Sequence, residues 1–235
     1  MGGVLRPYNR RSRVTLDWAL VAVGLMACAV LAGLVIRTDG SGQSSLFGAQ
    51  VGGLRTLSEN QTLVVFEDMS SGGGADWSGG LRNADHAGLG AVWLADPPSD
   101  PLSRDIALPE DTVRAVLSFD LIAIDAWALE GLEVALGGAP VMLHRFASPP
   151  DPDGLLATPR TTDRLAVRLE LAEPRDLGFA PSVAEQRLNV ELAVTTPGDS
   201  LSLTITPVPS DAEDSDRPAP LWAVDNLIVV AERLP

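Results

Sequence analysis

Three runs of this chain alternate apolar and polar residues with a period of two. Leu165, Val167, Leu169 and Leu171 are separated by Ala166, Arg168 and Glu170. Leu188, Val190, Leu192 and Val194 alternate with Asn189, Glu191, Ala193 and Thr195, and Leu201, Leu203 and Ile205 with Ser202, Thr204 and Thr206. A strand turns successive side chains to opposite faces, so each run sorts into one buried and one wet face; a helix would scatter them. Further strands are predicted over 63–67, 91–95, 113–125, 133–136, 141–146 and 222–231. Gly137-Gly138-Ala139-Pro140 separates two of these as a hairpin loop does. The Pro-rich stretches 148–153 and 207–220 read as surface loops. Several strands, frequent turn signals and no convincing long helix predict an all-β antiparallel sandwich over 62–235.

A different physics governs the start. Residues 18–36, WALVAVGLMACAVLAGLVI, hold no charge. A helix needs roughly 20 apolar residues to cross the hydrocarbon core, so this segment is just long enough. Arg6, Arg10, Arg11 and Arg13 precede it. The positive-inside rule then predicts a single-pass transmembrane helix, with residues 1–17 in the cytoplasm and the large C-terminal part outside. A cleaved secretory signal is the competing reading, although the apolar run exceeds the usual h-region of about 7–15 residues. Leu25-Met26-Ala27-Cys28 resembles a lipobox, but apolar residues continue to Ile36 where a polar linker is expected. Residues 37–61 are rich in Gly and Ser and read as a mobile tether. Leu46, Phe47, Val51 and Leu54 could form a short apolar helical stripe within it.

Ser12-Arg13-Val14-Thr15-Leu16-Asp17-Trp18 resembles the N-terminal motif of Flp/Tad-type pilins and pilin-like proteins. There a prepilin peptidase cuts after a small residue, and an acid follows at the fifth mature position. The resemblance implies a cut between Ser12 and Arg13, with Asp17 neutralising the new amino group of a neighbouring subunit in an apolar fibre. The family usually has Gly before the cut and no Arg after it. Without processing, Asp17 is a helix N-terminal acid at the cytoplasmic interface.

Charge excludes one class of partner. All 17 basic residues are Arg; four of them, and one of the 31 acids, precede Arg37. The remainder carries 13 Arg against 30 acids, which repels phosphate backbones and argues against nucleic acid. The single Cys lies in 18–36, so the β body has no disulfide and must rely on its core, as a domain of this size can.

The body opens with Phe66-Glu67-Asp68 and Asp76-Trp77-Ser78-Gly79-Gly80 and closes with Trp222-Ala223-Val224-Asp225-Asn226-Leu227-Ile228-Val229. Between them lie Val116-Leu117-Ser118-Phe119-Asp120-Leu121 and Ile124-Asp125-Ala126-Trp127. This resembles the jelly-roll domains of bacterial surface proteins and carbohydrate-binding modules, which share a concanavalin-like sandwich. The resemblance implies that the first strand lies near the last. It also implies one structural calcium tying them, with Glu67, Asp68 and Asp225 as ligands, since calcium takes six to eight oxygens. Asp120 and Asp125 are further candidate ligands. The alternative for all of them is a set of strand-end or solvent-facing acids.

Sugar sites present aromatic faces, and the body holds Trp77, Trp93, Trp127 and Trp222. Trp77 and Trp127 are expected in the core; Trp93 is the candidate ligand-binding aromatic. Catalysis finds little support. His86 and His144 stand in no metal-ligand spacing and read as surface or loop histidines. No G-x-S-x-G is present, and Ser71-Gly72-Gly73-Gly74 lacks the Lys of a phosphate loop. The expectation is a non-catalytic binding or adhesion module on a bacterial inner membrane, facing the periplasm or cell surface. Its partner is an unnamed protein or glycan. A pilin-like subunit and a carbohydrate-binding module are the alternatives.

Overall fold

A computed structural model of the chain describes residues 57–69, 74, 76–86, 90–124, 126–148, 157–176, 184–210 and 219–234. Ser12, Arg13, Asp17, the apolar segment 18–36, most of the tether and Asp125 lie outside these residues. The described residues form twelve strands: β1 (Gln61–Glu67), β2 (Leu81–His86), β3 (Gly90–Leu94), β4 (Leu102–Ala107), β5 (Thr112–Ala123), β6 (Ala128–Leu136), β7 (Ala139–Ala147), β8 (Ala157–Pro159), β9 (Leu165–Leu171), β10 (Gln186–Thr195), β11 (Ser200–Val208) and β12 (Trp222–Arg233). Among these residues no helix is long and apolar enough to cross a membrane.

The strands make two antiparallel sheets. The larger has seven strands in the order β2-β3-β12-β5-β10-β9, with β1 also paired to β12; the smaller has five, β4-β11-β6-β7-β8. The first strand thus lies beside the last, Glu67 opposite Leu227 and Phe66 opposite Ile228. This is the all-β sandwich that the period-two runs require.

The core fills the space between the sheets. From the large sheet come Leu117, Phe119 and Leu121 of β5, Leu188, Val190 and Leu192 of β10, and Trp222 and Val224 of β12. From the small sheet come Leu132 and Val134, Met142 and Phe146, and Leu203 and Ile205. Trp127 meets Phe146 edge to face at 5.0 Å and donates its indole N–H to the Ile124 carbonyl at 2.9 Å. Trp222 likewise donates to the Pro98 carbonyl at 2.8 Å. A buried indole that keeps a hydrogen bond gives area to the core without stranding a polar atom.

Gly137 and Gly138 both take positive φ, 57° and 79°. Two such residues make the turn whose twist matches a hairpin, and glycine reaches that region without steric cost. The hairpin loop is therefore shorter than the four residues expected, because Ala139 and Pro140 already belong to β7.

Two expectations need correction. His144 is neither on the surface nor in a loop: it sits in β7, 2% exposed, with Phe146 edge-on at 4.4 Å. The outer face of β5 is not wet either. Every residue from Ala115 to Ala123 is buried, because a second apolar cluster of Val92, Ile122, Ile124 and Ala223 and a polar network occupy that face. The edge strand β9 keeps the simple alternation, half-buried and exposed by turns.

Candidate functional site

The polar network is built where three strands of the large sheet run side by side. Core residues Leu117, Phe119 and Leu121 fix which way β5 faces, so the intervening Asp120 projects from the opposite side. The register sets Asn189 of β10 on one flank of Asp120 and Asp225 of β12 on the other. The pairing of β12 with β5 is interrupted by a bulge between Asp225 and Ile228, and Asn226 takes a left-handed φ of 55°. Asparagine tolerates that conformation better than most residues, and the bulge re-aims its side chain.

Asn226 then bridges two carboxylates. Its side-chain amide donates to Asp120 Oδ2 at 2.7 Å and to Asp225 Oδ2 at 3.1 Å, while its backbone N–H donates to Asp225 Oδ1 at 2.8 Å. Asp120 also accepts from the Asn189 amide and pairs with Arg187 at 3.3 Å. Asp120, Asp225, Arg187 and Asn189 are all buried.

The two acids are not equivalent. Burial, then the Asp120 charge, push Asp225 from 3.8 up to about 8, against Arg187 and the Asn226 backbone; Asp68 adds to the rise. Burial raises Asp120 too, but Arg187, Asn226 and Asn189 all pull it down. With donors concentrated on Asp120, the pair carries its charge there and its proton on Asp225.

The second cluster joins the sheets. Leu102, Arg104 and Ile106 turn inward from β4, and Arg104 crosses to β1, its Nη1 2.5 Å from Glu67 Oε1. Trp77 donates its indole N–H to Glu67 Oε2 at 3.1 Å, and its ring lies 6.0 Å from the Arg104 guanidinium carbon. Asp76, mostly exposed, adds a 3.3 Å contact to Arg104. Two opposite charges with three further contacts can stand burial that neither would stand alone.

The residues predicted for calcium are therefore divided. Both oxygens of Glu67 are held by Arg104 and Trp77, Asp225 is turned to Asp120 and Asn226, and Asp68 acts on Asp225 through its charge. Among the described residues, no group of three or more His, Cys, Asp or Glu is placed to hold a metal ion. Trp93 is half-buried, its indole N–H donated to the Gly79 carbonyl at 2.9 Å. A Cβ on Gly74 would stand 2.2 Å from the Trp93 ring, so the Gly74 backbone already lies close against the ring expected to bind a sugar.

Sequence reasoning missed Arg104, Arg187, Asn189 and Asn226. Asn226 was the most accessible of these, adjoining Asp225 in the closing motif. Arg187 and Asn189 are wet-face residues by alternation, and only the register reveals Asp120 between them. No family model matches the chain, and no curated protein does.

Proposed function

We propose that the chain is a membrane-anchored, extracytoplasmic jelly-roll module whose work is binding or adhesion rather than catalysis. The carrying observation is that its buried charges serve as struts. Arg104 and Glu67 tie one sheet to the other, and Arg187 and Asp120 tie adjacent strands. Acids committed to hydrogen-bonded scaffolds are poor proton carriers for a substrate, since moving their proton disturbs the fold. The repeated crossing of the chain between sheets, at β3 to β4 to β5 and at β10 to β11 to β12, supports the jelly-roll reading. The acid excess beyond Ile36 supports a partner without phosphate.

A reporter fused after Pro235 tests the placement. It should be active only outside the cytoplasm, because the arginines before Trp18 hold the N-terminus inside. Moving those arginines beyond Ile36 should weaken or invert the orientation. Cytoplasmic activity of the first fusion overturns it.

A further inference from the structure

Asn60 and Glu67 stand at the two ends of β1, and each is pinned. The Asn60 backbone carbonyl accepts the Arg233 N–H at 2.9 Å. Its side-chain amide donates to the Arg233 carbonyl at 3.2 Å and to Glu232 Oε1 at 3.5 Å. At the other end Glu67 accepts from Arg104 of the opposite sheet at 2.5 Å and from the Trp77 indole at 3.1 Å. Between these points β1 makes six register pairs with β12, its only strand partner among the described residues. Val64 and Val65 pack on the core.

The direction of β1 decides how a pull on the chain reaches these contacts. β1 enters the sandwich beside the end of β12, with Gln61 opposite Glu232. β5 and β12 run from that end, where Thr112 faces Arg233, to the other, where Ala123 faces Trp222. A load drawn through the residues before β1, against anything held at the Ala123 end, therefore runs along β1. Antiparallel hydrogen bonds lie across the strands, so sliding β1 loads all of its pairs together. A load that parts Gln61 from Glu232 opens the same pairs one after another.

We infer that β1 is a shear clamp: its pairing with β12, locked at the far end by Glu67 and Arg104, holds the sandwich on its tether under tension. This rests on the anchored, adhesive reading above, which supplies the tension. A membrane anchor pulls at the Asn60 end, and a partner beyond the membrane is met at the opposite end. The lock sits where sliding must break it. Moving β1 along β12 drags Glu67 away from Arg104 and strands two buried charges, so the ion pair resists together with the six strand pairs. When β1 is instead opened from Gln61, the ion pair is reached last and adds nothing to the first step.

Single-molecule pulling of the full chain in detergent micelles provides the test. Cys28, the only cysteine, is replaced by alanine, and pairs of new cysteines at exposed positions carry the handles. Glu59→Cys with Ala126→Cys pulls along β1, because Ala126 follows β5, which has ten register pairs to each of its neighbours. Glu59→Cys with Leu234→Cys peels β1 from Gln61. At one loading rate the first pair should rupture at a several-fold higher force than the second, since the unfolding rate governs forced rupture. Adding Glu67→Gln/Arg104→Met should lower the first force and leave the second unchanged. Equal forces along the two directions overturn the clamp. So does a variant that lowers both forces alike, because the ion pair would then support the fold in general and not the sliding strand. Either result leaves the orientation read by the reporter fusion intact, and a reversed orientation leaves the difference in force intact.

Discussion

Asp225 keeps a proton that an exposed aspartate would lose, and this makes it a residue through which pH reaches the fold. Its value stands at about 8 instead of 3.8. The folded chain thus binds a proton that the unfolded chain releases. The associated stability is full below about pH 3.8 and is lost as pH rises through about 8. Asp225→Asn, with no proton to give up, should flatten this decline. Melts from about pH 5 to about pH 9 should show wild type falling relative to the variant; parallel curves would mean that Asp225 is ionised in the fold. Calcium should leave the wild-type melt in place, because Glu67 is held by Arg104 and Trp77. A rise reversed by chelator and absent in Asp225→Ala would instead place an ion at Asp68 and Asp225, worth about 2.7 kcal/mol at about a hundred times Kd. Arg104 provides a second test at this scale. Arg104→Met strands a buried carboxylate on a single indole donor and should cost about 3–5 kcal/mol in a denaturant titration. Adding Glu67→Gln should recover much of that loss, because the stranded charge goes with it; a double variant as weak as the single would assign the cost to packing.

Among the elements, legibility followed how simply each strand's two faces divide. β9 and β11 alternate cleanly, β10 alternates in sequence although Gln186 to Val190 are buried on both faces, and all three were predicted close to their observed bounds. β4 was missed because the middle of its inward face is Arg104, apolar in position but not in chemistry until Glu67 is across from it. β2 was missed for its polar sequence, and β8 for its brevity and its proline. β5 was found, but its outer face was misread, since a local alternation cannot tell solvent from a buried network of residues from β10 and β12. The same limit hid most of the site: Asp120, Asn189 and Asp225 lie more than thirty positions apart and become neighbours only through register. Where the alternation pointed inward on β5 it was right. Phe119 is 1% exposed between Leu117 and Leu121, and Phe119→Ala should lower stability by about 3–5 kcal/mol, chiefly by leaving a cavity. A change in melting of less than about two degrees would mean that the sandwich closes around the gap.

For the whole molecule, the dominant long-range term is repulsion. The net charge is −14, and no lysine is available to spread positive charge over the surface. The ion pairs that matter most, Arg104 with Glu67 and Arg187 with Asp120, are buried and therefore little screened by salt. The exposed pair Arg114 with Glu232, 3.4 Å apart, is of the kind worth at most about 1 kcal/mol. Salt should therefore remove more repulsion than attraction. The Debye length is about 10 Å at about 0.1 M and shorter above it, so most of the gain comes at low concentration. Melting temperature should rise with added sodium chloride and then level off, and potassium chloride should match it, because screening does not depend on the cation's identity. A melting temperature that falls as salt is added would show that attraction between exposed charges, not their repulsion, governs the stability of this sandwich.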